Sequence, residues 1–303
     1  MRFGRSALLV ACAGLCVAPG ASMAAAVVAQ PGSGGADGAV YRKLADNVAP
    51  AIVTLKFVVK VSGGAGEQEQ ESDATGVMID AKGLVLVSDQ SLGGRPAAWK
   101  RAGGTTFTAK DIKVLVGDDT EGLEAKIIGR DGDLDLAWVQ IEKPEEKGYV
   151  AVDFAAGAEA AVGDRVLSVE RMSKFFDRVP SISEGRLSAV VSKPRKLFIP
   201  SKGLGATFGT PIFNADGKPV GMSVLQLPSP EEAEGHPGGL RTLISEAILP
   251  SSEIAAATKR ARDAAAAGKP IGEEAPEAPE AAGPEAGAPA PIQPATPEKP
   301  KQP

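Results

Sequence analysis

The chain has 303 residues, a length that fits one large or two modest domains once the termini are set aside. Hydrophobic residues make up 43% of it but aromatics only 4%, so a core must be built from Val, Ile, Leu and Ala. A net charge of −5, with no basic patch interleaved with aromatics, argues against a nucleic-acid binder or a general binder of anionic membranes.

Met1 to about Ala29 reads as a secretory signal. Arg2 and Arg5 form a charged start, Ala7 to Pro19 is an apolar run too short to span a bilayer, and small residues follow at 21–26. Cleavage is expected between Ala24 and Ala29, giving an exported, periplasmic or secreted chain with no membrane span when mature. An uncleaved anchor is the alternative, and the short run disfavours it. Leu9-Val10-Ala11-Cys12 superficially fits a lipobox, but almost no apolar segment precedes it, so lipidation is not expected. Both cysteines, Cys12 and Cys16, lie in this segment, so the mature protein has no thiol, disulfide or cysteine metal site.

Residues 30–37 read as a flexible leader. Val40, Leu44 and Val48 then repeat at the spacing of a short helix over Ala39–Val48. Short β-like runs follow at 51–57, 76–79, 84–88, 111–116, 125–130 and 134–141, and then at 165–169, 181–191, 211–214, 219–225 and 242–248. Turn signals such as Ala81-Lys82-Gly83 and Ala215-Asp216-Gly217 separate them. Many short strands with helices only at the ends indicate an all-β barrel or sandwich. Ser251 to Gly268 carries Ile254, Ala257 and Ala261 at helical spacing and is the strongest helix.

From 269 to 303 the chain is Pro, Ala and Glu, with ten of the 24 prolines in this stretch, so it should be a disordered tail. Pro291, Pro294, Pro297, Pro300 and Pro303 recur every third residue and would share one face of a polyproline II helix. A passive spacer is the simpler use of such a tail, and PxxP-type contacts with a partner are the alternative.

Four blocks together resemble the protease domain of HtrA-type (Deg-type) serine proteases. The first is Val48–Val53 followed by Gly76–Gly83; the second runs from Ile112–Val114 through Glu124–Gly129 to Asp133–Ala137. The third is Val162–Leu167 with Ser183–Ala189, and the fourth is Gly205–Asn214 leading into Asp216–Met222 and Ile248–Ser251. The resemblance covers residues 38–268 and implies a trypsin-like fold of two six-stranded β-barrels with short N-terminal and C-terminal helices. The PDZ domain usual in that family is absent, and the proline-rich tail stands in its place.

The same resemblance locates the catalytic positions, and two are altered. Asp135 matches the carboxylate of the triad. Where the family has histidine, after Gly83–Val87 and Ser88-Asp89, this chain has Gln90. Where the nucleophilic serine belongs stands Phe208, flanked by Ala206, Thr207, Gly209 and Thr210. An amide has no pKa near neutrality with which to take a proton, and a benzyl group has no lone pair with which to attack a carbonyl. Backbone N–H groups near Ala206 and Phe208 would line a vestigial oxyanion and substrate cleft, with Phe208 as a cover. Gln90 would donate its side-chain amide to Asp135 in place of an imidazole. The only histidine, His236, sits in a Gly/Pro-rich loop and is not expected to replace the base.

Asp131 to Glu142 imitates a calcium loop, but Leu136 stands where a sharp turn needs Gly and 136–141 reads as a buried strand, so no metal is expected. Acidic Glu67–Glu71 reads as a solvated hairpin loop. No cofactor is implied. The expectation is an exported, catalytically inactive pseudoprotease that binds a peptide or protein through its vestigial cleft. An active trypsin-like serine endopeptidase is the first alternative. An envelope anchor presenting its proline-rich tail is the second.

Overall fold

The structure, a computed structural model, describes residues 36–63, 66–96, 98, 106–193, 195–202, 204–234, 245–269 and 271–272. The expected signal, residues 30–35 of the expected leader, the tail beyond residue 272 and His236 therefore lie outside the described residues, whereas Ala36 and Asp37, expected to end the leader, open the first helix.

Twelve strands close into two antiparallel barrels of six. The first barrel holds β1 (Ile52–Gly63), β2 (Gly66–Met78), β3 (Leu84–Val87), β4 (Thr106–Leu115), β5 (Leu123–Asp131) and β6 (Leu136–Ile141), joined in the order β1-β2-β3-β6-β5-β4. The second holds β7 (Arg165–Arg171), β8 (Pro180–Val191), β9 (Leu197–Pro200), β10 (Pro211–Asn214), β11 (Pro219–Gln226) and β12 (Ser245–Pro250), in the order β10-β11-β12-β9-β8-β7. Helix α1 (Ala36–Asn47) precedes the barrels, the short α2 (Pro230–Glu234) lies between β11 and β12, and α3 (Ser251–Ala266) follows β12. Among the described residues no helix is long and apolar enough to cross a membrane.

Aliphatic side chains fill both barrels, as the composition requires. Val85, Leu86, Val87, Val139 and Leu55 are fully buried in the first, with Trp138 the largest buried side chain. A separate cluster of Val166, Leu187, Phe198, Leu204, Ala206, Ile212, Val220 and Ile248 fills the second. Helix α3 buries Ile254, Ala257 and Ala261, the stripe expected from their spacing, and Thr258 accepts a 3.0 Å hydrogen bond from Trp138 Nε1. The start of α3 is pinned to β11, because the buried Ser251 hydroxyl donates to Pro219 O at 2.8 Å.

Two expectations need correction. Glu67–Glu71 belongs to strand β2 and is not a loop. Both faces of this stretch are polar, so no period-2 alternation betrays it, and lysines on β1 and β4 compensate its charge. Lys60 meets Glu67 at 2.9 Å, Lys110 meets Glu69 at 2.6 Å and Lys56 meets Glu71 at 3.6 Å. The second correction adds a strand: β9 was not expected. It has four residues, follows a Lys-Pro-Arg-Lys run and ends in proline, yet it closes the second barrel between β8 and β12.

Candidate functional site

Strand β3 is buried along its whole length and delivers Ser88, Asp89 and Gln90 to the seam between the barrels. Asp135 arrives from the opposite side, in the turn just before β6, with a left-handed backbone at φ 58°. Aspartate tolerates that conformation better than most residues. Its side chain is only 3% exposed, and it accepts several hydrogen bonds. The Ser88 hydroxyl lies 2.8 Å from Oδ1 and 2.9 Å from Oδ2. The Gln90 backbone N–H donates to Oδ1 at 2.8 Å, and the Leu225 backbone N–H from β11 donates to Oδ2 at 2.8 Å. The last of these crosses from the second barrel, so Asp135 joins the two halves of the fold.

Gln90 contacts Asp135 through its main chain, not through the side-chain amide expected from the sequence. The turn explains this: the 3-10 segment Gln90–Leu92 directs its first N–H at the carboxylate, and the Ser88 hydroxyl lies against both carboxylate oxygens.

Burial pushes the Asp135 carboxyl up to about 6, from an ordinary 3.8. The bonds from Leu225, Gln90 and Ser88 oppose that shift, and the neighbouring Asp89 carboxylate adds to it. Asp89 is itself buried and paired with Arg130 at 2.6 Å, and Arg130 also reaches Leu92 O at 3.3 Å. Gly94 closes over Asp89, where a Cβ would stand 1.9 Å from Oδ2, so any other residue there would displace the carboxylate.

The loop between β9 and β10 reaches the same seam. Gly209 N–H donates to Ser223 O at 2.8 Å, and Ser223 N–H returns a bond to Thr210 O at 2.9 Å, fixing the loop to β11. Gly209 has φ 89°, and a Cβ there would stand 2.7 Å from Thr75 O and 3.2 Å from Ser88 N. The loop is thus pressed onto the backbone beside Ser88, two residues from Gln90. Thr210 and Ala206 are buried, Phe208 is half-buried and Thr207 is exposed. Among the described residues, no hydrogen bond engages the N–H of Ala206 or of Phe208.

The seam also holds side chains that the sequence reading missed. Thr207 Oγ1 lies 3.0 Å from Thr210 Oγ1 and 3.2 Å from Glu170 Oε2. Ser223 Oγ donates to Glu246 Oε1 at 3.4 Å, and burial raises the Glu246 carboxyl above its usual range. Thr207 and Thr210 belong to the loop already singled out, but Glu170, Ser223 and Glu246 stand in no block with a recognisable pattern. Only strand register places them: Glu246 pairs with Leu225, and Glu170 lies two residues along β7 from the buried Ser168.

The calcium-like stretch has other uses. Asp131 Oδ1 accepts the Leu134 N–H at 3.1 Å, closing its own turn, and Leu136–Ile141 is the buried strand β6. Among the described residues no group of three or more His, Cys, Asp or Glu could hold a metal ion.

Residues 74–222, which run from β2 to β11, match the family model described as trypsin-like peptidase domain. No curated protein matches the chain. Among solved structures, the MamO protease domain from Magnetospirillum magneticum in its apo form is similar at 18% identity and a TM-score of 0.42, covering 70% of this chain and 97% of that one. Two closed six-stranded barrels, with a family match that spans parts of both, give the chain a trypsin-like fold.

Proposed function

We propose that the protein is an exported, HtrA-like pseudoprotease that binds an extended peptide or protein segment in its cleft and does not hydrolyse it. The observation that carries this reading is the pair of side chains at the seam. Phe208 occupies the loop that presses on Ser88, and Gln90 follows the buried strand β3 beside Asp135. With carbon at the first position and an amide at the second, the site lacks both an attacking atom and a proton acceptor near neutral pH. The N–H groups of Ala206 and Phe208 have no partner among the described residues, so they can bind a carbonyl oxygen that is never attacked. Extended peptides recognise such sites mainly through main-chain hydrogen bonds, which need no catalytic side chain.

The test is a peptide-library screen with the purified full chain, monitored for binding and cleavage beside a Phe208→Ser/Gln90→His variant. Binding without cleavage by the native chain, changed in the variant, supports the reading. Cleavage by the native chain refutes it. Absence of both shifts the function to the tail or to a scaffold role.

A further inference from the structure

Glu246 carries a charge that no cation answers among the described residues. It stands on β12 opposite Leu225 of β11, the residue whose N–H bonds to Asp135. Opposite residues and residues two apart share a face of a sheet, so Ser223 and its partner Ile248 lie on the same side as Glu246. That side turns inward: Ser223 is fully buried, and Ile248 packs with Leu204 and Ala206 in the core of the second barrel. Ala206 lies two residues before Phe208, and Ser223 holds the same loop through its main-chain bonds with Gly209 and Thr210. The partly buried Glu246 side chain therefore stands where the apolar wall of the second barrel meets the loop that lines the cleft.

The Ser223 hydroxyl, at 3.4 Å, is the one hydrogen bond to Glu246 among the described residues. Burial raises the Glu246 carboxyl, and that hydroxyl offsets the shift only in part. The other carboxylates of the seam add to its charge. Asp135 is held by a hydroxyl and two main-chain N–H groups, and Glu170 by the Thr207 hydroxyl. The neighbouring cations are committed elsewhere: Arg130 pairs with Asp89, Arg195 donates to Asp133 O, and Arg171 donates to the carbonyls of Ala49, Ile52 and Arg178. A partly buried carboxylate beside an apolar wall suits a lysine or arginine side chain, whose aliphatic stem packs on the wall while its head meets the carboxylate. A neutral or acidic side chain would leave that carboxylate desolvated and unpaired.

We propose that the cleft selects a segment carrying lysine or arginine, whose cationic head pairs with Glu246 while a main-chain carbonyl of the segment takes the N–H groups of Ala206 and Phe208. The inference rests on the reading of the cleft as a peptide-binding site and names its occupant by charge. Glu246 determines specificity in it and takes no part in any chemistry.

Fluorescence anisotropy of the full chain tests it with a peptide library in which each sequence is made with lysine, arginine, norleucine or glutamate at one fixed position. The lysine and arginine forms should bind about tenfold or more tightly than the norleucine form, which matches the stem of lysine without its charge. That preference should weaken as salt is raised. Glu246→Gln keeps the size of the side chain and an oxygen for Ser223, and should remove the preference by lowering lysine binding about tenfold. Glu246→Lys should turn the preference toward glutamate. Circular dichroism and melting curves will check that both variants stay folded, and the comparison on the native chain needs neither. Norleucine bound as tightly as lysine would mean that Glu246 serves Ser223 alone; it overturns this inference and leaves the peptide cleft standing. A lysine preference that persists in Glu246→Gln belongs to another carboxylate and also overturns it. No binding by any form overturns the inference and the cleft reading together.

Discussion

Asp135→Asn is the perturbation that reads the seam most directly. It keeps the size of the side chain and its tolerance for φ 58°, but removes the ionisation. The amide retains one oxygen and turns an NH2 toward donors that the second carboxylate oxygen now satisfies. One buried donor left unmet costs about 1–3 kcal/mol. Against that stands the cost of ionising a carboxyl whose pKa burial moves from 3.8 to about 6, which is about 3 kcal/mol at neutral pH. The two effects nearly cancel at pH 7, so the variant should be close to native stability there.

The pH dependence separates them. A carboxyl whose folded pKa is raised binds its proton more tightly in the native state than in the unfolded chain. Its stabilising contribution is therefore full below 3.8 and is lost as pH rises through about 6. Between pH 7 and pH 4 the native chain should gain about 2 kcal/mol over the Asn variant. Urea denaturation of both proteins at the two pH values measures that difference, and the contributions of all other carboxylates cancel in it. A gap that stays constant, or that closes on acidification, would show that the hydrogen bonds outweigh burial and that Asp135 is ionised like an ordinary aspartate.

Gly209→Ala forces a Cβ to within 2.7 Å of Thr75 O at φ 89°, and should lower stability by about 2 kcal/mol or more, read as a fall in Tm. Thr258→Val removes the acceptor for Trp138 Nε1 and should cost about 1–3 kcal/mol, with a change in Trp fluorescence as α3 loosens. Arg130→Met leaves the buried Asp89 without its guanidinium partner and should cost about 3 kcal/mol; adding Asp89→Asn should recover much of the loss, as a double-mutant cycle will show.

The fold was legible because most strands carry their own signal. Leu84–Val87 and Leu136–Ile141 are apolar runs bounded by turns, and α3 shows its buried stripe in Ile254, Ala257 and Ala261. The first part of β2 escaped, although its end overlaps the expected run at 76–79, because Glu67 to Glu71 is polar on both faces, so its order comes from β1 and from cross-strand ion pairs, not from burial. Strand β9 escaped because its four residues are ordered by their neighbours in the barrel. The positions of Gln90, Asp135 and Phe208 came from a resemblance spread over four blocks. The contacts of Ser88, Glu170, Leu225 and Glu246 depend on register between distant strands, which no local pattern encodes.

Asp135 differs from Gln90 and Phe208 in what the framework asks of it. Asp135 serves as acceptor for the Ser88 hydroxyl and for the main-chain N–H groups of Gln90 and Leu225, so its loss leaves buried donors unmet. Among the described residues no hydrogen bond uses the side chain of Gln90 or of Phe208, so replacing them costs the framework little. A carboxylate offers about four acceptor sites. The two N–H groups take two of them and the single Ser88 proton a third, which leaves one for an imidazole N–H. Phe208→Ser/Gln90→His should therefore fold with a stability within about 1 kcal/mol of native, since it disturbs only partly buried side chains. The introduced imidazole should bond to Asp135 and show a far-downfield proton resonance. A stable variant without that resonance would mean that the seam keeps the carboxylate for architecture alone and no longer has the geometry to orient a base.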